Sequence, residues 1–223
     1  IGFVSRMTRQ RPWINVKIAS SLDGKIALAN GNSHWITGEA ARTDVHRLRA
    51  RSCAILTGIN TVKHDDPELS VRHVQTTRQP LRVILDNRLE ISANAKILQK
   101  AGVLIFTTLQ DSTKIQSLTE RGVQVVVLPN ATGKLDLAEV MSKLAEFEIN
   151  EILVEAGSTL SGSLVESQLV DKIIIYCAPI FLGNSAQSML HLPELRSLSQ
   201  KWKLEITEIG KVGCDIKITA KLI

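Results

Sequence analysis

Length, composition and charge place this chain among ordinary globular proteins. Its 223 residues, 44% hydrophobic and 22% charged, exclude a disordered chain and a fibrous repeat. The net charge of +5 comes from scattered Lys and Arg with few aromatic residues, which supports nucleic-acid binding poorly but suits a pocket for small phosphorylated ligands.

The first part of the chain predicts a strand, a turn, a helix and a second strand. The run WINVKIASSLDGKIAL alternates apolar and polar residues as a strand does, and Asp23-Gly24 interrupts it with a favoured turn pair. The run TGEAARTDVHRLRAR has helical spacing, with Thr37 placed to cap the helix. Its apolar stripe consists of Ala41, Val45 and Leu48. CAILTG then predicts a buried strand.

Strands and helices alternate through the remainder. LRVILD, GVLIFTT, VQVVVLP and EILVEAG predict strands, and STKIQSLTE and KLDLAEVMSKLAEF predict helices between them. This order is typical of an α/β fold with parallel strands at its core. KIIIYCAPIFLG, KWKLEITEIGKV and CDIKITAKL add strands with little helix between them. We therefore expect a mixed, mostly parallel central sheet flanked by helices, with antiparallel strands at its C-terminal end.

Compartment and domain number follow from simple features. No apolar run approaches the roughly 20 residues needed to cross a bilayer, and the N-terminal residues lack a signal-peptide core, so we expect a cytoplasmic protein. Cys53, Cys177 and Cys214 stand far apart, and an odd number favours free, buried thiols over disulfides. No linker divides the chain, so one domain is expected.

The stretch VEAGSTLSGSLVESQLVDK, residues 154–172, leads from a strand into a helix through small residues. Gly157, Gly162 and the hydroxyl residues around them leave the first helical turn open to a ligand, and exposed N–H groups at a helix N-terminus attract phosphates. The spacing matches neither a P-loop nor the dinucleotide fingerprint. An ordinary tight turn between strand and helix is the alternative, and the stretch alone does not decide between them.

Polar residues gather at the ends of the predicted elements, where α/β sheets bind ligands. They are Lys17, the segments 32–35, 61–72 and 86–88, and Glu155. Each has a plainer interpretation: a solvent-facing strand position for Lys17, a turn with a helix stop for Asp65-Asp66-Pro67, and a solvated helix edge for Arg42, His46 and Arg49. The histidines lack metal-ligand spacing and G-x-S-x-G is absent, so neither a metal site nor covalent catalysis is predicted.

Together these residues resemble a known family. KIASSLDGKIA, SHWIT, RAxxxAILTGxxTVxxDDPxLxVR, VEAGxTLxGSL and APxxLG are similar to the reductase domain of the bacterial bifunctional riboflavin-biosynthesis deaminase/reductase. The resemblance runs from about Pro12 to near the C-terminus, so residues 12–223 are expected to form the reductase domain after a lead-in or linker, residues 1–11. The family's zinc deaminase motifs H-x-E and P-C-x-x-C are absent, and the chain looks like the reductase half alone.

The resemblance implies a fold like dihydrofolate reductase, in three layers, and a reaction. NADPH would deliver hydride to C1′ of 5-amino-6-(5-phosphoribosylamino)uracil, reducing its ribosyl group to ribityl in riboflavin biosynthesis. The partners implied are this small phosphorylated substrate, a second copy in a homodimer and the deaminase domain of the full-length chain, with neither nucleic acid nor membrane.

The resemblance also implies residue roles. The implied cofactor contacts are Ala19, Trp35, Thr61, Asp65, Asn87, Gly157, Ser158, Thr159, Leu160, Ser161, Gly162 and Ser163. The implied substrate contacts are Ser33, Arg49, Leu69, Arg72 and Glu155. Arg49 and Arg72 suit the 5′-phosphate because guanidinium groups bind phosphate oxygens in pairs. The small residues of the turn would admit the pyrophosphate, with Gly162 giving clearance, and we add Arg88 as a reader of the 2′-phosphate.

The proton donor stays open within the implied catalytic set Lys17, Asp65 and Glu155. The Lys17 ammonium is one choice, and the Asp65 carboxyl is the other if burial raises its pKa. Two rival functions also stay open. One is a reductase that acts on the undeaminated 2,4-diamino pyrimidine, and the other is a non-catalytic nucleotide-binding module.

Overall fold

A computed structural model describes all 223 residues, Ile1–Ile223. The helices are α1 (Gly2–Arg9), α2 (Glu39–Arg51), α3 (Ile59–Asp65), α4 (Ser112–Thr119), α5 (Leu137–Glu146) and α6 (Ser158–Glu166). The strands are β1 (Trp13–Ser21), β2 (Lys25–Ala27), β3 (Ala54–Gly58), β4 (Leu81–Leu85), β5 (Val103–Thr107), β6 (Gln124–Val127), β7 (Glu151–Val154), β8 (Lys172–Ala178), β9 (Gln187–Ser188), β10 (Leu204–Val212) and β11 (Asp215–Leu222). None of the helices has the length and hydropathy that crossing a bilayer requires.

The chain divides into two compact units, each made of separate segments. The first unit comprises Ile1–Trp13 and Arg49–Leu153, and the second comprises Ile14–Leu48 and Val154–Ile223. The chain passes from one unit to the other within β1, α2 and β7. Because these crossings fall inside regular elements, no Pro- or Gly-rich linker marks the division in the sequence.

The strands of the first unit lie in the order β7-β3-β4-β5-β6. The pairs β3–β4, β4–β5 and β5–β6 are all parallel. Parallel strands that are covered on both faces have continuous apolar sequences. β5 is such a strand, because it is buried along its whole length. A hydrophobic cluster that includes Ile55, Ile84, Ile97 and Ile105, each 0% exposed, forms one core of this unit.

The second unit mixes parallel and antiparallel strands in the order β10-β11-β8-β1. β1 and β8 are parallel, whereas β8–β11 and β11–β10 are antiparallel. Gly24 has φ +71° at the predicted turn after β1, and β2 then pairs with β9 in a separate two-stranded ladder. The prediction of a mixed, mostly parallel sheet with antiparallel C-terminal strands is confirmed.

Helix α2 packs its predicted stripe into the second unit. Ala41 and Val45 lie in a cluster with Ile174 and Tyr176, and Leu48 packs against it. The predicted cap is wrong. The helix begins at Glu39, and the carbonyl of Gly38 rather than Thr37 accepts the first helical hydrogen bond, from the Arg42 N–H. The Gly38 N–H is held by the carboxylate of Asp215 at 2.8 Å, which places the start of the helix one residue later.

Residues 2–9 of the expected lead-in form α1, whose Arg6 donates from Nε to Asn150 Oδ1 at 2.8 Å. Two further expectations differ from the structure. None of the free thiols is fully buried, because Cys53 and Cys177 are half-buried and Cys214 is exposed. The solvated-edge interpretation of α2 is wrong for His46, which is 5% exposed.

Candidate active site

Lys17 and Glu155 form an ion pair within the second unit. Lys17 lies on β1, where Val16 and Ile18 occupy the opposite, buried face, and Glu155 follows β7 directly. Lys17 Nζ lies 3.8 Å from Glu155 Oε2, and their side chains are 18% and 10% exposed. The solvent-facing interpretation of Lys17 is therefore wrong. A shielded ammonium beside a shielded carboxylate can hold polar atoms of a ligand and move a proton.

The turn before α6 has the properties of an anion site. Gly157 is the N-cap, with φ −71° and ψ 177°, and no side chain caps the helix. A Cβ built at Gly157 would meet nothing within 4 Å, so the approach to the first turn is open. The hydroxyl of Ser161 on this helix is buried and has no hydrogen-bond partner in the structure. An uncapped helix N-terminus and an unsatisfied hydroxyl are both suited to phosphate oxygens.

Gly162 has a different reason to be glycine from the one predicted. A Cβ at this position would collide with the backbone carbonyl of His191, whose carbon would lie 2.8 Å away. The His191 N–H also donates to the Ser158 carbonyl at 3.1 Å. The small size of Gly162 is thus required by packing inside the protein, and the predicted clearance for a pyrophosphate is corrected to clearance for residue 191.

Other predicted residues of the second unit have varied surroundings. Ala19 shares the face of β1 that carries Lys17, because side chains two apart in a strand point the same way. Ser33 is half-buried. Trp35 is 71% exposed and lies under the guanidinium of Arg42, 4.6 Å from its ring centroid. Trp35 therefore packs against a cation that the predicted set did not include.

Arg49 and Arg72 approach the same residue in the first unit. Arg49 Nη1 donates to the Ser70 carbonyl at 3.0 Å, and Arg72 Nη1 lies 3.5 Å from the Ser70 hydroxyl. Arg72 also pairs with Glu68 at 3.1 Å, as does Lys100 at 3.3 Å. The hydroxyl of Ser70, together with Lys100 and Arg72, lowers the pKa of Glu68 to about 2. Three cationic side chains therefore surround Ser70 and Glu68, which makes this region attractive to an anion.

The predicted site residues on and after α3 differ in how far they are buried. α3 ends at Asp65 with Asp66 as its C-cap, which agrees with the helix-stop interpretation of Asp65-Asp66-Pro67, and Thr61 lies on this helix half-buried. Asp65 ends the helix and is exposed, so the burial that would make its carboxyl a proton donor is not present. Leu69 is 4% exposed in the hydrophobic cluster of the first unit and has φ +48°. Its side chain is thus committed to the core.

Asn87 holds several chain segments together after β4. Its Oδ1 accepts the N–H of Leu135 at 3.0 Å, and its carbonyl accepts the hydroxyls of Thr107 and Thr108. Arg88 beside it is exposed. Asn87 therefore has a structural role that the sequence did not indicate, and Arg88 is available to a ligand.

A polar network in the second unit was missed by the sequence analysis. Asp44 accepts hydrogen bonds of 2.7 Å from both the Tyr176 hydroxyl and Lys217 Nζ. Burial raises the pKa of Tyr176, and its bond to Asp44 and the charges of Asp44 and Glu155 raise it further. Tyr176 pairs with Ala19 across β8 and β1, so its side chain shares the face of Lys17. No local spacing links the elements that bear these three residues, so the sequence carried no signal for them.

Comparison with known proteins gives a family match across nearly the whole chain. Residues 12–218 match the RibD C-terminal domain. The riboflavin biosynthesis protein RibD of Escherichia coli (strain K12) is 39% identical over 227 residues, covering 96% of this chain and 61% of that protein. The chain thus spans about 60% of the length of the curated relatives it matches.

Solved structures agree with the sequence match. Acinetobacter baumannii RibD, form 1, superposes with a TM-score of 0.90 at 35% identity, covering 100% of this chain and 61% of that one. A Thermotoga maritima protein, described as a diaminohydroxyphosphoribosylaminopyrimidine deaminase/5-amino-6-(5-phosphoribosylamino)uracil reductase, gives 0.83 at 25% identity over 100% of this chain and 60% of that one. The predicted fold like dihydrofolate reductase is confirmed by these neighbours. The chain belongs to the RibD C-terminal domain family.

Proposed function

We propose that this chain reduces the ribosyl group of 5-amino-6-(5-phosphoribosylamino)uracil to ribityl, with NADPH as the reductant. Family membership supports a reductase of riboflavin biosynthesis, and the Thermotoga relative is described as acting on this substrate. The observation that carries the proposal is the shielded pair of Lys17 and Glu155, of which Glu155 stands two residues before the open turn at Gly157. One member of a proton-handling pair thus stands next in sequence to an anion site.

The turn before α6 fits the pyrophosphate of a dinucleotide. The uncapped N-terminus, the open space at Gly157 and the unsatisfied Ser161 hydroxyl would receive its oxygens. When bound, NADPH supplies the hydride that reduces C1′. Ser158, Thr159 and Ser163 add hydroxyls to the same helix.

The Lys17–Glu155 pair is assigned the proton transfer that accompanies reduction of C1′. As C1′ is reduced, the bond from C1′ to the ring oxygen breaks, and that oxygen must gain one proton to become a hydroxyl. Lys17 carries an ammonium proton and is shielded from water, whereas Asp65 is exposed. We therefore assign Lys17 as the proton donor. Glu155 orients Lys17 and accepts a hydrogen bond from a sugar hydroxyl.

The cationic side chains around Ser70 are assigned the binding of the substrate's 5′-phosphate. Arg49 and Arg72 converge there, and a phosphate dianion would compete with Glu68 for the Arg72 guanidinium. The ion pair is largely solvent-accessible, with side chains 45% and 33% exposed, so exchanging its partner costs little. Guanidinium groups can grip two phosphate oxygens at once.

Assembly and location belong to the same proposal. β10 is the terminal strand of the second unit's sheet and exposes Ile206 and Ile209 at 56% and 63%, which favours pairing with a second copy in a homodimer. We also propose that a deaminase domain accompanies this reductase in the full-length protein, as in the Thermotoga relative. Three free thiols are typical of a reducing compartment such as the cytoplasm.

Nicotinamide absorbance at 340 nm tests the reaction directly. The chain should oxidise NADPH in the presence of the deaminated substrate, with one ribityl product per NADPH consumed. Preference for the 2,4-diamino pyrimidine would replace the substrate while keeping the enzyme class. Absorbance that persists at high enzyme concentration with both pyrimidines would favour a non-catalytic nucleotide-binding module.

A further inference from the structure

The segment of residues 182–191, here called the strap, connects the turn after β1 with the first turn of α6. It begins on Asp23, whose carboxylate accepts the N–H of Leu182 at 3.1 Å and the N–H of Gly183 at 2.8 Å. The Ser21 hydroxyl donates to the same carboxylate. One side chain therefore fixes the start of the strap through two backbone amides.

The middle of the strap is held by the residues that follow Asp23. β9 pairs with β2, and the Met189 N–H donates to the Gly24 carbonyl at 2.9 Å. Lys25 Nζ lies 3.3 Å from the Ser188 hydroxyl. The strap thus runs along the turn and cannot shift without breaking main-chain hydrogen bonds.

The far end of the strap lies against α6. The His191 N–H bonds to the Ser158 carbonyl at 3.1 Å, and the His191 carbonyl occupies the space that a side chain at residue 162 would need. Residues 158 and 162 stand one turn apart on the same face of α6. Two points of contact on one helical face determine both the position and the rotation of that turn.

We propose that Asp23 is a positioning residue for the cofactor, acting through the strap to hold the first turn of α6 in the geometry that receives the dinucleotide phosphates. The inference rests on the proposed function for the identity of the ligand. The carboxylate of Asp23 bonds to Ser21, Leu182 and Gly183, none of which is a predicted site residue, and its effect is carried by backbone hydrogen bonds from residue 182 to residue 191.

The carboxylate of Asp23 is suited to this task because it stays ionised. The Ser21 hydroxyl, followed by the Gly183 and Leu182 amides, lowers the pKa of Asp23 to about 2 against the opposing effect of desolvation. Charge-assisted bonds to backbone N–H groups are stronger than neutral ones. Asp23 therefore keeps its charge, and its bonds to the strap, at neutral pH.

Asp23→Ala and Asp23→Asn, with Asp136→Ala as the control, test the inference. Asp136 also accepts two backbone N–H groups, those of Ala138 and Glu139, but it caps α5 in the first unit. We expect Asp23→Ala to weaken NADPH binding roughly tenfold, the size of one lost charge-assisted bond. KM for NADPH should rise while kcat at saturating NADPH stays within about twofold. Asp23→Asn should recover much of the affinity, because its amide oxygen still accepts one N–H.

Hydrogen exchange of the cofactor-free chain provides the second readout and remains informative for Asp23→Asn if Asp23→Ala does not fold. The amide hydrogens of residues 158–162 and 182–191 should exchange faster in the Asp23 variants than in wild type. Their exchange rates in Asp136→Ala should equal those of wild type. Wild-type NADPH affinity or unchanged exchange at residues 158–162 in a folded Asp23→Ala would overturn the inference. Failure of the wild-type chain itself to bind NADPH would instead overturn the proposed function, and the assignment of Asp23 to a cofactor with it.

Discussion

Lys17 and Glu155 face each other at 3.8 Å, although β1 and the end of β7 are far apart in sequence. Removing either partner leaves an uncompensated, poorly solvated charge beside the predicted reacting atoms. The pair is thereby the most direct place to test the chemistry.

Lys17→Met should lower kcat by about 10²- to 10⁴-fold, the usual contribution of a positioned proton donor. Glu155→Gln should lower it as well, and the double variant should lose less than the sum of the single losses because the two groups act together. Steady-state rates at saturating NADPH measure this effect. Lys221→Met, an exposed strand lysine on β11, is the control and should keep its activity. Wild-type kcat in folded Lys17→Met would remove Lys17 from the chemistry.

Gly157→Val and Gly162→Ala should behave in opposite ways. The open space and ordinary φ at Gly157 admit a valine, so the fold should persist while the branched side chain obstructs the anion site. The collision at Gly162 with the His191 carbonyl should instead lower the free energy of unfolding. Thermal denaturation and NADPH fluorescence titration separate the two outcomes. Unchanged NADPH affinity in Gly157→Val would make the turn a purely structural junction.

Arg49→Ala and Arg72→Ala should each lower kcat/KM on the phosphorylated substrate. A charge-assisted contact is worth roughly 1.5–3 kcal/mol, or about 10- to 150-fold. The comparison is with the dephosphorylated analogue, on which the variants should lose little. Arg78→Ala serves as the control, because its guanidinium is exposed in the same unit and bonds only weakly to the Arg51 carbonyl at 3.3 Å. Equal losses on both substrates would assign the two arginines to the fold or to the cofactor.

NADPH should bind more tightly than NADH if Arg88 reads the 2′-phosphate. Arg88 is exposed after β4, while the neighbouring Asn87 is engaged with Leu135. The difference should amount to roughly 1.5–3 kcal/mol and should disappear in Arg88→Ala. Dissociation constants for both cofactors, measured on wild type and variant, decide the point. A preference for NADPH that survives in Arg88→Ala would move the recognition to another residue.

Tyr176 should ionise only at strongly alkaline pH. It is the single tyrosine of the chain, so tyrosinate absorbance at 295 nm reports on it alone. Burial and the Asp44 bond raise its pKa in the folded state, whereas the unfolded value is about 10. The stabilising contribution is complete below pH about 10 and is lost as the pH rises toward the folded pKa. Asp44→Asn should lower the absorbance midpoint, and a midpoint near the unfolded value in wild type would contradict the buried network.

Much of the fold could be predicted from the sequence because its signals are local. Apolar runs such as CAILTG and GVLIFTT predicted β3 and β5, and the stripe of Ala41, Val45 and Leu48 predicted the buried face of α2. The open turn at Gly157 was also visible, because a glycine followed by small hydroxyl residues needs no distant partner to be recognised. Residues 2–9 were assigned to a lead-in because so short a run, half polar, does not reveal a helix whose Arg6 bonds to the distant Asn150.

Only the tertiary structure decided which side chains meet. Lys17 could not be distinguished from a solvent-facing lysine until Glu155 was placed beside it, and Gly162 seemed to make room for a ligand until His191 filled that space. Asp44 and Tyr176 gave no sequence signal at all. Local sequence encodes backbone preference and the side that is buried, whereas the partners of a polar side chain depend on packing between segments that are remote along the chain.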